Sequence, residues 1–294
     1  MKAVLDIGVL AVTLLMMVTV GMDLEARDFR EIARRKRALL RALLLPAVLL
    51  PFLGFGLARA LALPPHLTAG ILLLAACPVG DIANFYTLLA RGNLALSVSV
   101  NTLSCLLSVV TMAVAFGLYD HLLGQDYVFA LPTAALVLRL TLMVALPVLA
   151  GMAVRRWRPA WAEARQGLLR KVCLAGIAFL VVYVLVSRWA QVAAEWRQTA
   201  LAGMVFVTVA LAIGLAVARL LRLSAGDSIT VGIVFAVRNV ALAMAIAITL
   251  LNRIEFAEVA VVYFLAEVPL LLGVAGAHRR WCRGAAACAQ PVGL

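Results

Sequence analysis

Four groups of polar residues stand inside long apolar stretches of this chain, and each has a definable chemistry. The stretch ILLLAACPVGDIANFYTLLARG carries Pro78 and Gly80 beside Asp81 and Asn84. Proline removes a backbone donor and obstructs the preceding turn, while glycine lifts steric limits. The segment is therefore either a kinked helix or a helix broken in two. A broken helix in a membrane exposes N–H and C=O groups that bind ions and carboxylates. The stretch SITVGIVFAVRNVALAMAIAITLL places Arg238 and Asn239 near its centre. Arginine stays ionised, so it needs a carboxylate, carbonyls or water. Its fork of donors either holds a substrate carboxylate at two points or pairs with another helix. In LALSVSVNTLSCLLSV, Ser97, Asn101 and Ser104 recur at spacings of four and three. They form one polar stripe that either ties helices together or lines a cavity. Glu267 lies deep in the last apolar stretch and is expected to be paired or protonated. Arg139 and Glu258 lie near the ends of their stretches and are expected to snorkel. If the helices carrying Asp81 and Arg238 cross, their charges are expected to meet directly or across a small polar cavity, with Glu267 the alternative partner of Arg238.

The elements that must position these residues follow from composition. The 294 residues are 65% hydrophobic and only 14% charged, against about 25% charged in soluble domains. Roughly nine apolar runs approach the length of about 20 residues that spans a bilayer as a helix. They cover about 4–22, 42–63, 66–91, 94–118, 129–154, 172–186, 199–221, 228–251 and 256–277. The expected fold is an all-α integral membrane protein, one polytopic domain over 1–294, because only helices and closed barrels satisfy their backbone in lipid. The first run has one Lys, contains Asp6, and leads into a basic segment with no small-residue cleavage site. It reads as a first membrane helix and not a signal peptide.

The net charge of +12 is concentrated in short loops. Arg27, Arg30, Arg34, Arg35, Lys36, Arg37 and Arg41 follow the first run, and 155–171 is a second basic loop. Asp120 and Asp126 mark an acidic loop. Basic loops after runs one, five and seven, and a basic tail, alternate with loops poor in Lys and Arg. The positive-inside bias then puts the N-terminus outside and the C-terminus in the cytoplasm, across what is expected to be a bacterial inner (plasma) membrane. No basic domain stands outside the runs, which excludes a nucleic-acid partner. The partners expected are the lipid bilayer and a small solute, and no feature fixes the oligomeric state. Five cysteines form no CxxC pair and only three histidines occur. No metal centre is expected. No phosphate-binding loop, dinucleotide fingerprint or HExxH motif is present, and no nucleophile–base arrangement. The chain therefore reads as a non-enzyme without a cofactor.

The tract Cys77-Pro78-Val79-Gly80-Asp81-Ile82-Ala83-Asn84, followed by Tyr86-Thr87-Leu88-Leu89-Ala90-Arg91-Gly92-Asn93-Leu94-Ala95-Leu96-Ser97, resembles the CPGG, Asn, LARGN and ALS series of the bile acid:sodium symporter family. Arg238-Asn239-Val240-Ala241-Leu242-Ala243 resembles that family's QNSGLA tract. Gly21-Met22, Leu24 and Asp28-Phe29 are similar to its first helix end. The resemblance implies two inverted repeats, with a panel of helices (in part of about 1–63 and 129–221) and a core (in part of about 66–119 and 226–277). Two discontinuous helices, the third and eighth runs, would cross in the core. It also implies secondary transport of organic anions such as bile acids and related steroid or carboxylate compounds, coupled to sodium.

By the same resemblance Asn84 and Ser97 match sodium-ligand positions. Ala83, Asn101, Val234, Arg238 and Pro46 replace a Ser, a Thr, a Glu, a Gln and a Gln respectively. Sodium wants several oxygen ligands, so a lost carboxylate and an added guanidinium argue against it as the coupling ion. The candidate substrate- or ion-binding residues are Asp81, Asn84, Ser97, Asn101, Arg238 and Asn239. The reading favoured is an organic-anion transporter not coupled to sodium in the usual way. Its alternatives are a sodium symporter with altered ligands, and a membrane receptor or scaffold on the same fold.

The orientation is testable with single cysteines at Gln125 and Ala160 in a cysteine-free background. An impermeant thiol reagent applied to intact cells should label Gln125→Cys and spare Ala160→Cys; the opposite pattern refutes the orientation.

Overall fold

The computed structural model describes residues 2–23, 36–123 and 133–284. Arg27, Arg30, Arg34, Arg35, the Asp28-Phe29 pair, Gln125, Asp126 and Cys288 lie outside the described residues. The chain runs through α1 (Lys2–Met22), α2 (Lys36–Ala60), α3 (Pro65–Ala76), α4 (Ile82–Leu89) and α5 (Leu94–Leu123). Helix α6 (Thr133–Leu140) passes through a π turn (Thr141–Ala145) into α7 (Leu146–Trp157). Then come α8 (Pro159–Ser187), α9 (Trp189–Leu220), α10 (Ala225–Ala236), α11 (Val240–Ala245), a second π turn (Ile246–Leu250) and α12 (Ile254–Gly284). Among the described residues, six helical stretches are long and apolar enough to cross a membrane, and shorter apolar helices stand between them.

Two differences from the sequence reading have simple causes. The basic stretch 155–171 is not a loop: the helix direction changes only at Arg158, and α8 starts at Pro159. Arginine and lysine are good helix formers and proline suits a first helical position, so the helix continues beyond its apolar part. Likewise 189–198 forms the first turns of α9, with the interruption at Arg188.

The break after α3 is dictated locally. Pro78 disfavours helical geometry in the residue before it, and Cys77 is extended, with φ −61° and ψ 150°. The break after α10 contains neither proline nor glycine. Val237 is extended, with φ −89° and ψ 122°, and the Asn239 side chain caps α11 by accepting from Leu242 N at 3.0 Å, a preferred N-cap arrangement. The two breaks meet. Val79 and Arg238 form an antiparallel β-bridge, and Asn239 N donates to Pro78 O at 3.0 Å. Gly80 permits the crossing, because a Cβ there would lie 2.7 Å from Arg238 O.

The same succession occurs twice. Helices α2 and α9 both end in a left-handed residue, Ala62 (φ 46°) and Arg222 (φ 53°). A broken helix follows each time, then a second left-handed residue, Arg91 (φ 56°) or Asn252 (φ 53°), and then a long helix. At Ala62 and Arg222 the next N–H reaches back to close the helix end, Leu63 N to Ala58 O and Leu223 N to Ala218 O, which satisfies the last carbonyls.

Helix α1 is clamped to α7 and α8. At Gly21 and Gly151 a Cβ would lie 2.0 Å from the carbonyl oxygens of Val148 and Val18, so both backbones approach as closely as small residues allow. Just past α1, Asp23 Oδ1 accepts from Arg170 at 2.7 Å and from Gln166, both on α8. The Asp23 side chain is only 2% exposed. Burial pushes its carboxyl up to about 6, against the opposing pull of the Arg170 guanidinium.

Two predictions follow from this packing. Gly80→Ala should destabilise the detergent-solubilised protein by roughly 1–3 kcal/mol, as overpacking does, seen as a lower melting temperature. Gly117→Ala, where a Cβ meets nothing within 4 Å, should leave it unchanged or raise it. For Asp23, the folded carboxyl holds its proton more tightly than the unfolded chain does. Its contribution to stability is thus fully present below about pH 4 and is lost as pH rises through about 6, by up to roughly 2–3 kcal/mol. Melting curves between pH 4 and 7 should show Asp23→Asn gaining on wild type as pH rises; parallel curves would refute the assignment.

Candidate functional site

Breaking a helix in an apolar interior frees carbonyls at one end and N–H groups at the other, and at this crossing most of them find partners. At the C-terminal ends, Arg238 Nη1 donates to Cys77 O at 3.2 Å, and Nη2 donates to Phe235 O at 3.3 Å and to Val234 O. The Tyr263 hydroxyl donates to Ala236 O. At the N-terminal ends, Val79 N donates to Ser104 Oγ at 3.1 Å, and Asn239 caps α11. The C-terminal end of a helix carries partial negative charge, so the guanidinium sits where two such ends converge. Arg238 is 3% exposed, and a charge so placed carries a penalty of several kcal/mol. Its three bonds to carbonyls, at roughly 1.5–3 kcal/mol each for charged hydrogen bonds, are of the size needed to offset it.

Asp81 and Arg238 do not pair. Asp81 Oδ1 instead accepts from Asn84 Nδ2 at 3.0 Å and from Asn101 Nδ2 at 3.2 Å. Asn84 Oδ1 accepts from Ser97 Oγ at 2.8 Å, and Ser97 Oγ accepts from Thr87 Oγ1 at 3.3 Å. The stripe Ser97, Asn101 and Ser104 on α5 thus faces the first break and fastens it: Ser104 holds the break's backbone while Ser97 and Asn101 hold its side chains. The separation of the charges is physical. Arg238 reaches the carbonyl side of the crossing, and Asp81 begins the helix that leaves on the other side.

A cavity of about 400 Å³ opens at the crossing. Gly80, Asp81, Asn84, Arg238 and Asn239 line it, together with Val240 and Ala241 from the start of α11. Of the residues singled out in the sequence, Ser97 and Asn101 stand behind Asp81 and Asn84 as supports, and Pro78 and Glu267 are not on the wall. The opposite wall was not anticipated. Arg170 and Lys171 from α8 line it, with apolar surface from Met16, Phe85, Leu174 and Phe264. Reading 155–171 as a loop hid the two cations; the signal was a basic stretch running without glycine into the next apolar run. The lining residues therefore include three cationic ones, Arg170, Lys171 and Arg238, against the single carboxylate Asp81, with Arg170 paired to Asp23 behind the wall and the Arg238 guanidinium turned to the half-helix carbonyls.

Glu258, expected to snorkel, is 7% exposed and accepts from Arg188 Nε at 2.6 Å. Glu267 is fully buried beside Tyr263 and within electrostatic range of Arg238.

A sequence model described as the Sodium Bile acid symporter family matches residues 10–196. The chain is 32% identical over 141 residues to a Bacillus subtilis protein named uncharacterized sodium-dependent transporter YocS, covering 48% of this chain and 42% of that one. It is 27% identical over 231 residues to the Arabidopsis thaliana chloroplast protein named probable sodium/metabolite cotransporter BASS1, covering 79% and 56%. It is 34% identical over 195 residues to the uncharacterized protein PA2026 of Pseudomonas aeruginosa, covering 63% and 57%. The matched part spans about half the length of these relatives. The family match includes the first helix break and its supporting stripe on α5, and the β-bridge joins the second break to them. By this match the chain, an integral membrane protein, belongs to the Sodium Bile acid symporter family.

Proposed function

We propose that the chain is a secondary transporter of small organic anions, carboxylate or steroid-like in character, that is not driven by sodium. The observation that carries this reading is the polarity of the crossing. The carbonyl ends of α3 and α10 are occupied by the guanidinium of Arg238. The starts of α4 and α11 face the cavity with Arg170 and Lys171. Helix N-termini favour anions, Lys171 on the lining adds a cation beside the Asp23-paired Arg170, and the apolar walls suit a hydrophobic body.

Against sodium stand the side chains present. Asn84 and Ser97 bond to each other, Ala83 and Val234 offer methyl groups, both fully buried, and a fixed cation holds the carbonyls that a sodium ion would share. The relatives' names speak of sodium dependence, and a sodium symporter with altered ligands is the competing outcome of the test below. A scaffold or receptor has no use for a charged cavity at the crossing. The twofold succession of helix, broken helix and helix supports inverted repeats, with the crossing in a core that moves against a panel. Arg170 and Lys171 on the cavity wall belong to the basic stretch 155–171 that the positive-inside bias makes cytoplasmic. That wall then lies toward the cytoplasm, the side on which this reading puts the C-terminus.

Proteoliposomes loaded with wild-type protein should take up labelled cholate or benzoate at rates that change less than about twofold when sodium is replaced by potassium, while Arg238→Gln and Arg238→Lys should each cut uptake by more than about tenfold, in line with a lost charged interaction of 2 kcal/mol or more. Uptake rising steeply with sodium would refute the sodium-independent reading.

A further inference from the structure

Glu267 differs from the other buried acid of its helix. Glu258 is paired with Arg188, whereas Glu267 is 0% exposed and neither carboxyl oxygen meets a donor. The groups facing it are Tyr263 one turn earlier on α12, Arg238 at the second break, and Tyr86 on α4. Just past α3 the Cys77 thiol faces Arg238, and α9 presents the Phe206 ring to Tyr263. Of these, Tyr263 alone comes within hydrogen-bonding reach of the carboxyl. The Tyr263 hydroxyl is directed at Ala236 O, and both terminal nitrogens of Arg238 are held by carbonyls. Arg238 Nε and the Tyr86 hydroxyl have no acceptor. An unspent acid thus lies among unspent donors. An ionised carboxylate in an apolar interior, with the one donor in reach turned to Ala236 O, costs several kcal/mol, so the neutral carboxyl is the form this arrangement holds.

We propose that Glu267 is the proton-carrying group of the transport cycle. It holds a proton while Arg238 grips the carbonyls of the two helix breaks. When the crossing rearranges, Arg238 turns from the carbonyls to the Glu267 carboxylate, and the proton leaves the carboxyl O–H for water. The cation never leaves the protein, so each cycle moves one proton and no sodium. The carboxylate takes up a proton from water on one face of the membrane and releases it on the other, so the energy comes from the proton gradient, and the different affinities of the two states for the proton couple it to the cycle. The inference rests on the transport reading above.

Two measurements on the full chain test it. Infrared spectra in lipid at neutral pH should contain the C=O stretch of a protonated carboxyl that is absent from Glu267→Gln. An unchanged band region overturns the proposal. In proteoliposomes without sodium, a pH gradient should raise wild-type accumulation of labelled cholate or benzoate by at least roughly fivefold, the lower range of coupling between sites. Glu267→Gln should lose that rise while keeping counterflow of the same probe within about twofold of wild type. Wild-type accumulation that ignores the pH gradient while counterflow proceeds overturns the proton coupling and leaves the transport reading standing. Failure of counterflow with both probes overturns the transport reading and the coupling together.

Discussion

Backbone groups released in the apolar interior must find partners within the protein, and the crossing of the two broken helices is arranged around that requirement. Pro78 makes the first break unavoidable. Its consequences are then distributed: Pro78 O accepts from Asn239 N, Val79 N donates to Ser104, and Cys77 O accepts from Arg238. Each partner belongs to another segment, so the break fixes the position of α5 and of the α10–α11 junction. The second break has no proline of its own and is held open by its pairing with the first and by Asn239 as a cap. With each unsatisfied group costing several kcal/mol in such surroundings, neither break is stable without the other. The absence of a Cβ at Gly80 lets the two backbones reach bonding distance.

The same accounting sorts charge. The C-terminal ends of the half-helices accumulate carbonyls and attract a cation, and the N-terminal ends present N–H groups and attract an anion. Arg238 answers the first demand from within the chain. The second demand faces the cavity, where Arg170 and Lys171 add to it. Asp81, the one carboxylate on the wall, has one oxygen committed to the amides of Asn84 and Asn101 and so opposes this polarity weakly.

How much of this could be read from the sequence depends on whether the cause lay within one segment. The first break was legible because Pro78 and Gly80 act on their own backbone. The α5 stripe was legible because four- and three-residue spacings place side chains on one face, though whether it fastened or lined needed its partners; it fastens. The second break was legible only as a misplaced charge, since its cause is a bridge to a segment far away in the chain. The Asp81–Arg238 pair was expected from two opposite charges at one crossing. Direct pairing is absent because half-helix carbonyls compete for the guanidinium, and they are invisible until the break is seen; the other arrangement expected, the two residues on one cavity, agrees with both of them lining it. The ends of α8 and α9 were misjudged because apolar runs mark where lipid would be, not where a helix stops. That error hid Arg170 and Lys171 and, with them, the cation-rich wall.

A tethered cation changes what the crossing can do. A dissociable ion bound at the half-helix carbonyls links transport to that ion's gradient, because its binding and release differ between the two faces of the membrane. Arg238 is present in every state and has no gradient, so it can set the polarity of the site without driving the cycle. Any driving force must then enter through a group whose occupancy changes while Arg238 keeps its charge. Within range of Arg238, the cysteine thiol and the tyrosine hydroxyls are weak acids that stay neutral. A carboxyl is the neighbour able to exchange a proton in the ordinary range of pH, and Glu267 is the one placed within electrostatic range of the guanidinium without an ion pair to hold it charged.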